Sequence, residues 1–274
     1  ERMINWCVGC RTALSDLEVD HADEEGAFYY IRYPLESGKG HLTVATTRPE
    51  TLLGDTAVAV NPDDPRFAPF KGQRVILPIL NRPIPIIEDG AVAMDFGTGA
   101  LKITPGHDPN DFETGERHHL PIISILNDDG TLNEEAGPYK GYDRFEARTA
   151  IIHRLEQEGL LEKVEPHMHS VGHCQRSGDI VEPIVSLQWF VHIEPLAERA
   201  LDAVKAGKIN VVPDRFERVY TNWMENIRDW CISRQRTWGV PITFFTHKET
   251  GELHPNTLEL METAAQKISE GGVE

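Results

Sequence analysis

Apolar residues fall in short runs from about residue 27 to 125. Residues 27–33, 41–46, 73–79, 91–96 and 100–104 are rich in Val, Ile, Thr and aromatics, and each predicts a strand. Pro62, Pro65, Pro69, Gly72, Pro78, Pro83, Pro85 and Gly90 punctuate them. Many short strands with frequent breakers predict a compact barrel or sandwich, not a doubly wound sheet. The period then lengthens. Asp143 can cap a helix whose Phe145, Ile152 and Leu155 recur at helical spacing, with Gly159 as its stop. Pro195 suits a first helical turn ahead of Leu196, Ala200 and Val204, and Gly207 ends that run. Trp223, Ile227 and Trp230 fall on one helical face, and a last helix is predicted over 257–269, before Gly271-Gly272. A β-rich middle followed by a helical third is an α+β pattern.

Composition narrows the class. In 274 residues the hydrophobic fraction is 40% and the charged fraction 26%, which excludes disorder, collagen and a disulfide-stapled miniature. No apolar run reaches the ~18 residues of a membrane span, so no membrane partner is expected. Twenty-seven basic against 44 acidic residues give a net charge of −17, so a whole-surface grip on nucleic acid is not expected. A local basic cleft stays open, with Arg48, Lys102 and Arg117 as its candidates. Four cysteines in a chain this long fit a reducing, cytoplasmic setting. Six carboxylates in 16–25 read as a solvated link or an exposed face. Opening on Glu1 without Met and stopping at Glu274, the chain reads as a piece of something larger.

Two segments carry candidate chemistry. Thr46-Thr47-Arg48-Pro49-Glu50-Thr51 is a strand end entering a Pro-fixed turn, and its hydroxyls and guanidinium can serve a small polar group or a phosphate. The second runs from Gly97-Thr98-Gly99 to His107-Asp108-Pro109-Asn110-Asp111, with Lys102, His107, Asp108 and Asp111 as an ionisable cluster in a Gly/Pro loop. Gly-x-Gly without a third glycine or a following helix does not make a dinucleotide site. A hydrolytic metal site on His107, Asp108, Asp111, His118 and His119 competes, but its spacing matches no ligand motif. Cys7-x-x-Cys10 is half of a zinc knuckle, and its one candidate partner, His173-Cys174-Gln175-Arg176-Ser177, has Ser177 in place of the second cysteine. A tetrahedral site would need His169 or His173 to substitute, so no metal, or a weakened remnant, is the reading. Cys231 reads as a small buried hydrophobe. No triphosphate loop and no nucleophile elbow is present.

These segments resemble a known family. Ala45-Thr46-Thr47-Arg48-Pro49-Glu50-Thr51-Leu52-Leu53-Gly54-Asp55-Thr56-Ala57-Val58-Ala59-Val60 is similar to the threonine-rich strand of the editing domain inserted in valyl-tRNA synthetases. Gly97 through Phe112 resembles that domain's second signature, and residues 5–7 and 12–19 its lead-in. His169-Ser170-Val171-Gly172-His173, Gln188-Trp189-Phe190-Val191 and residues 229–236 resemble the return into the catalytic core. The resemblance implies a lead-in over 1–25, a barrel-like editing domain over 26–170, a return segment over 171–245 and a helical tail over 246–274. Residues 236–251 look more like an isoleucyl-tRNA synthetase, whose first signature lacks the Arg-Pro-Glu of 48–50. The family's His-Ile-Gly-His and Lys-Met-Ser-Lys-Ser motifs are missing, which implies a fragment unable to charge tRNA.

The implied activity is hydrolysis of threonyl-tRNA(Val) without cofactor or metal. An apolar pocket cannot strongly reject a near-isostere that adds a hydroxyl, so a second, polar site must remove it. By resemblance Asp111 binds the α-ammonium, Asp108 and Thr104 read the hydroxyl, and Phe96 and Lys102 shape the pocket. Thr46, Thr47 and Arg48 hold the terminal adenosine and position water, with Thr51 and His107 among the substrate-binding residues. No side chain is an obvious general base, and the family is thought to use an ordered water aided by the tRNA's terminal hydroxyl. The implied partners are the acceptor end of tRNA(Val) and the remainder of the parent synthetase. The alternatives are an isoleucyl-type domain acting on valyl-tRNA(Ile) and a non-catalytic module that grips the acceptor end. Trp223, Trp230 and Trp238 suggest an apolar face for a partner domain.

Overall fold

A computed structural model describes residues 2–236 and 238–272; expectations touching Glu1, Thr237, Val273 and Glu274 lie outside the described residues. The chain divides into two compact units, Glu1–Ile232 and Ser233–Glu274. In the first, β1 (Arg2–Cys7) is the centre of a three-stranded sheet, between β2 (Thr12–Leu14) and β10 (Val181–Ser186). β3 (Val19–Pro34) is a 16-residue strand that pairs antiparallel with β9 (Leu161–Cys174), from Val19↔Cys174 to Ile31↔Leu161. Its second half also pairs with β4 (His41–Thr46). The acidic stretch is therefore not a link: Asp20, Asp23, Glu24 and Glu25 belong to β3. They are tolerated because this part of the ribbon is exposed or half-buried on both faces, so no carboxylate there is desolvated.

A four-stranded sheet holds β5 (Ala57–Val60), β6 (Arg74–Leu77), β7 (Arg82–Glu88) and β8 (Ala100–Ile103), in the order β6-β7-β5-β8. All four β5 residues are buried, so no alternation marks it. Pro83 and Pro85 sit inside β7, where the sequence reads them only as breakers. Ile86 donates its N–H to Gln73 (3.0 Å), so alternation turns positions 83 and 85 away from β6, and pairing with β5 begins only at Ile86. Those two positions lack no donor they would have used. Residues 91–96 form turns, not a strand. Asp89 accepts from Ala91 N–H, and Asn61 holds the Val92 carbonyl at 2.8 Å, bending the segment off the sheet.

The fold is α+β, but no closed barrel forms among the described residues; the two large sheets share one core instead. Ile31, Tyr33, Val44, Leu52, Leu53, Val58, Val75, Leu77 and Ile125 meet there, and α2 (Arg144–Gln157) adds Ala147, Ile151 and Leu155. Each large aliphatic buried contributes about 1.5–3 kcal/mol. The α2 signals are used as read: Asp143 accepts from Phe145 N–H, and Gly159 takes the left-handed conformation past the end. β11 (Phe190–Val191) precedes α3 (Glu194–Lys205), which carries Pro195 in its first turn and stops before Gly207. α4 (Arg215–Glu225) ends before Ile227, and Trp230 opens β12 (Trp230–Cys231), so the three-residue face expected there is not one helix. α5 (Thr257–Gly271) lies in the second unit. No helix among the described residues is long and apolar enough to cross a membrane.

One element near the chemistry differs from expectation. Residues 109–117 are helical: α1 (Pro109–Arg117) follows directly on the glycine-rich stretch. Asp108 before Pro109 is an N-cap before a first-turn proline, a signal that the loop reading overlooked. The approach to α1 is tight. A Cβ at Gly106 would stand 2.3 Å from the Ile123 carbonyl oxygen, which is backbone and cannot swing aside. Gly106→Ala is expected to destabilise the protein by about 1–3 kcal/mol, read from chemical denaturation.

Candidate functional site

β4 delivers Thr46 into a buried 3-10 turn, Pro49–Gly54, while β8 delivers Lys102 and Thr104 to the start of α1. Several contacts join the two segments. Arg48 donates through Nη1 to the His107 carbonyl (3.1 Å), and Lys102 Nζ donates to Thr51 Oγ1 (3.1 Å). Thr46 Oγ1 accepts the Arg48 N–H (3.0 Å), which fixes the turn. Thr47 is half-buried and its hydroxyl makes no hydrogen bond among the described residues.

Asp111 lies in the first turn of α1 and is 6% exposed. Its Oδ2 accepts from Thr104 N–H (2.9 Å), and its Oδ1 makes no hydrogen bond among the described residues. Burial pushes its pKa up to about 7; Lys102 pulls the other way, and Asp108 and Asp55 add to the rise. A carboxylate with an unbonded oxygen and a destabilised charge can receive a cation. Asp108 has a narrower job, with its Oδ1 accepting from Asn110 N–H (2.8 Å) and Asp111 N–H (3.0 Å).

Beneath them lies a buried polar cluster. Lys102 Nζ also faces Asp55 Oδ1 (3.4 Å) and donates to Thr104 Oγ1, which itself donates to Asp55 Oδ1 (2.6 Å). Tyr33 donates to Asp55 Oδ2 (2.6 Å). Burial raises the Asp55 pKa against the opposing pull of Lys102, Thr104 and Tyr33.

Two expected site residues are occupied otherwise. His107 is buried: its Nε2 accepts from Ile125 N–H (2.8 Å) and its Nδ1 faces the Pro183 carbonyl (3.3 Å). Those partners require the neutral ring with its proton on Nδ1. Burial first, then Arg48, push its pKa down to about 3. Both nitrogens of His107, expected among the substrate-binding residues, are engaged by the backbone at Ile125 and Pro183. Arg48 donates to Glu50 Oε1 (3.1 Å) and to Glu182. Burial opposes its charge, but Glu182 and Glu50 hold its pKa above the ordinary arginine value. Glu50 also takes Arg148 (2.7 and 2.9 Å), and Glu182 Oε1 lies 2.7 Å from Arg144 Nε, an ion pair off hydrogen-bond geometry. The expected basic patch does not form: Arg48, Lys102 and Arg117 each face a carboxylate, Arg117 at 2.9 Å from Asp89.

Phe96 stands at the rim, 61% exposed, edge-on to Phe28 at 5.7 Å. Among the described residues the competing metal set does not assemble: His118 Nε2 pairs with Asp89 (2.9 Å) and both His107 nitrogens are taken. The cysteines do converge. Cys7, Cys10 and Cys174 place their sulfurs within 4.8 Å of one another, and Ser177 Oγ is 3.2 Å from Cys7 Sγ. Three thiols could supply three ligands of a metal site, and among the described residues neither His169 nor His173 joins them. His173 instead faces Glu24 and the Gly178 carbonyl. Trp223 and Trp230 line a groove of about 1120 Å³ whose other wall includes Pro109 and Phe112 of α1; Asp111 is not in its lining.

Asp55, Tyr33, Glu182 and Arg144 are site residues that sequence reasoning missed. Asp55 had a signal: it is a lone carboxylate between Leu52-Leu53 and the apolar run Ala57–Val60. Glu182 had none, because its partners lie far off in the chain.

The whole chain, residues 1–274, matches the tRNA synthetases class I (I, L, M and V), and it belongs to that family. Within it the relatives are valine--tRNA ligases: that of Anoxybacillus flavithermus is 59% identical over 255 residues, and that of Bacillus subtilis 58% over 255. Each alignment covers 93% of this chain and 29% of the relative, so the chain spans under a third of their length. A crystallised LeuRS of Agrobacterium radiobacter K84, in a ternary complex with tRNA and LeuAMS, overlaps it at a TM-score of 0.40 and 17% identity, over 92% of this chain and 33% of that one.

Proposed function

We propose that this region edits: it hydrolyses threonyl-tRNA(Val) and leaves valyl-tRNA(Val) largely intact. The observation that carries the reading is Asp111, a nearly buried carboxylate with one oxygen unbonded among the described residues, linked through Thr104 and Lys102 to Thr51 of the hydroxyl-rich turn. Asp111 would hold the α-ammonium. The Thr104 hydroxyl, held between Lys102 and Asp55 on the residue whose N–H reaches Asp111, keeps one lone pair that can accept from a β-hydroxyl, which valine lacks. Water then adds to the ester carbonyl carbon, the bond to the ribose oxygen breaks, and that oxygen takes the proton, giving threonine and tRNA. His107 has no free nitrogen to act as base, so the half-buried Thr47 hydroxyl and the substrate's adjacent ribose hydroxyl are left to order the water.

With Arg48, Lys102 and Arg117 paired to carboxylates, the region would grip tRNA through few phosphate contacts. The test is loss of ester from threonyl-tRNA(Val), valyl-tRNA(Val) and valyl-tRNA(Ile) under one condition. Fast loss from the first alone is expected. Binding of all three without loss would instead make this a non-catalytic acceptor-end module, and preference for the third would make it isoleucyl-type.

A further inference from the structure

Lys102 poses a problem for any cation bound at Asp111. Its ammonium is buried, and its three N–H groups meet three acceptors: Thr51 Oγ1, Asp55 Oδ1 and Thr104 Oγ1. It therefore offers a ligand charge and no free donor. Thr104 ties the two groups together, with its hydroxyl on Lys102 and Asp55 and its N–H on Asp111. An α-ammonium docked on Asp111 would sit beside a second buried ammonium, where water screens little.

We propose that Asp55 is a positioning residue that neutralises Lys102, so that the carboxylate of Asp111 faces an incoming α-ammonium without a competing positive charge. The inference rests on the editing reading for the identity of that ammonium. The charges around the site support it. Arg48, Arg144 and Arg148 face Glu50 and Glu182, with Asp108 near Arg48, and Lys102 faces Asp55. Each of these four cations then faces an anion, Arg82 rests on the Leu53 and Asp55 carbonyls, and Asp111 makes no ion pair among the described residues. Asp55 is fully buried, held by Tyr33 on one oxygen and by Thr104 and Lys102 on the other. A buried ion pair contributes little net stability against an apolar pair, so stability alone does not account for this one. The groups whose charge reaches Asp111 are Lys102 of β8, Asp108 ahead of α1, and Asp55.

The test uses the full chain as wild type, Asp55→Asn and Asp55→Asn/Lys102→Met. The probe is L-threoninol, a cation bearing threonine's hydroxyl and no carboxylate, and Asp111 is followed by carbon NMR. Asp55→Asn is expected to weaken threoninol binding, and to raise KM for threonyl-tRNA, by on the order of 10- to 100-fold through like-charge repulsion. Its Asp111 titration should move below the wild-type midpoint, because the neighbouring anion is gone and Lys102 remains. The double variant should return affinity to within a few-fold and bring the titration back up. A role in packing alone would not be rescued by a second substitution. An Asp111 midpoint that rises in Asp55→Asn, or a double variant as impaired as the single, overturns the proposal. Should Asp55→Asn not fold, the double variant carries the test: affinity within a few-fold of wild type is expected, and a larger loss overturns it. Threoninol binding that follows this pattern with no hydrolysis by wild type keeps the role of Asp55 and removes the editing reading.

Discussion

Asp111→Asn is expected to cut threonyl-tRNA hydrolysis by on the order of 10²–10³-fold while making the folded protein more stable at pH 8. In the proposed editing role, the loss follows from removing the charged partner of a largely desolvated ammonium, an interaction of about 3–5 kcal/mol when one side is deleted. The gain comes from the same carboxylate. Asp111 has its pKa pushed up to about 7, chiefly by burial, against 3.8 for an ordinary aspartate. Between those values the folded state holds a proton that the unfolded state has released, so the group costs stability increasingly as pH rises from about 4 to 7, and constantly above. An amide can still accept from Thr104 N–H and carries no charge to desolvate. The expected gain at pH 8 is on the order of a few kcal/mol, vanishing near pH 4. Thermal denaturation of both proteins at pH 4 and pH 8 checks it. Equal stability at both pH values would mean that Asp111 is not held out of water in this way. In wild type, binding of the ammonium should strengthen from pH 6 to 8, as the site empties of its proton.

That opposition between stability and use shows where the sequence could be read. Strands such as β4 and β8, the α2 cap at Asp143 and the stop at Gly159 follow from local pattern, because local hydrogen bonding and alternation decide them. Pattern misled where tertiary pairing sets the outcome. The prolines of β7 are accommodated by which edge of the strand pairs, and the acidic half of β3 by having β9 beside it and solvent on its faces. At the site, residue types in the threonine-rich turn and around Asp111 were visible, but their employment was not. His107 and Arg48 look like ligand-binding groups in the chain. Only the fold brings Ile125, Pro183 and Glu182 onto them and commits them to holding the backbone. Conversely, the three thiols show their convergence only after β1 and the end of β9 are placed together.

Glu182 provides the most severe test of that commitment. It is 3% exposed on β10, and its two oxygens face Arg48 and Arg144, so it ties the turn after β4 and the first residue of α2 to the β1 sheet. Glu182→Leu removes one anion and leaves two guanidiniums facing an apolar group. Deleting one side of a buried ion pair typically costs about 3–5 kcal/mol, whereas replacing all partners by apolar groups is often neutral. Glu182→Leu is therefore expected to lose about that much in urea denaturation, a large share of the ~5–15 kcal/mol that holds a typical domain folded. Glu182→Gln, which keeps acceptors for both arginines, should lose less. Adding Arg144→Met to Glu182→Leu should recover part of the deficit, since Arg48 keeps Glu50 while Arg144 has no second buried anion. A double variant as unstable as Glu182→Leu alone would show that the arginine is not the source of the cost. Activity should fall with stability for a geometric reason as well. Arg48 carries the His107 carbonyl at 3.1 Å, and His107 adjoins the Asp108 cap that sets the first turn of α1. Releasing Arg48 from Glu182 loosens a guanidinium that spans from the threonine-rich turn to the residue preceding that cap, and Asp111 is expected to shift with it.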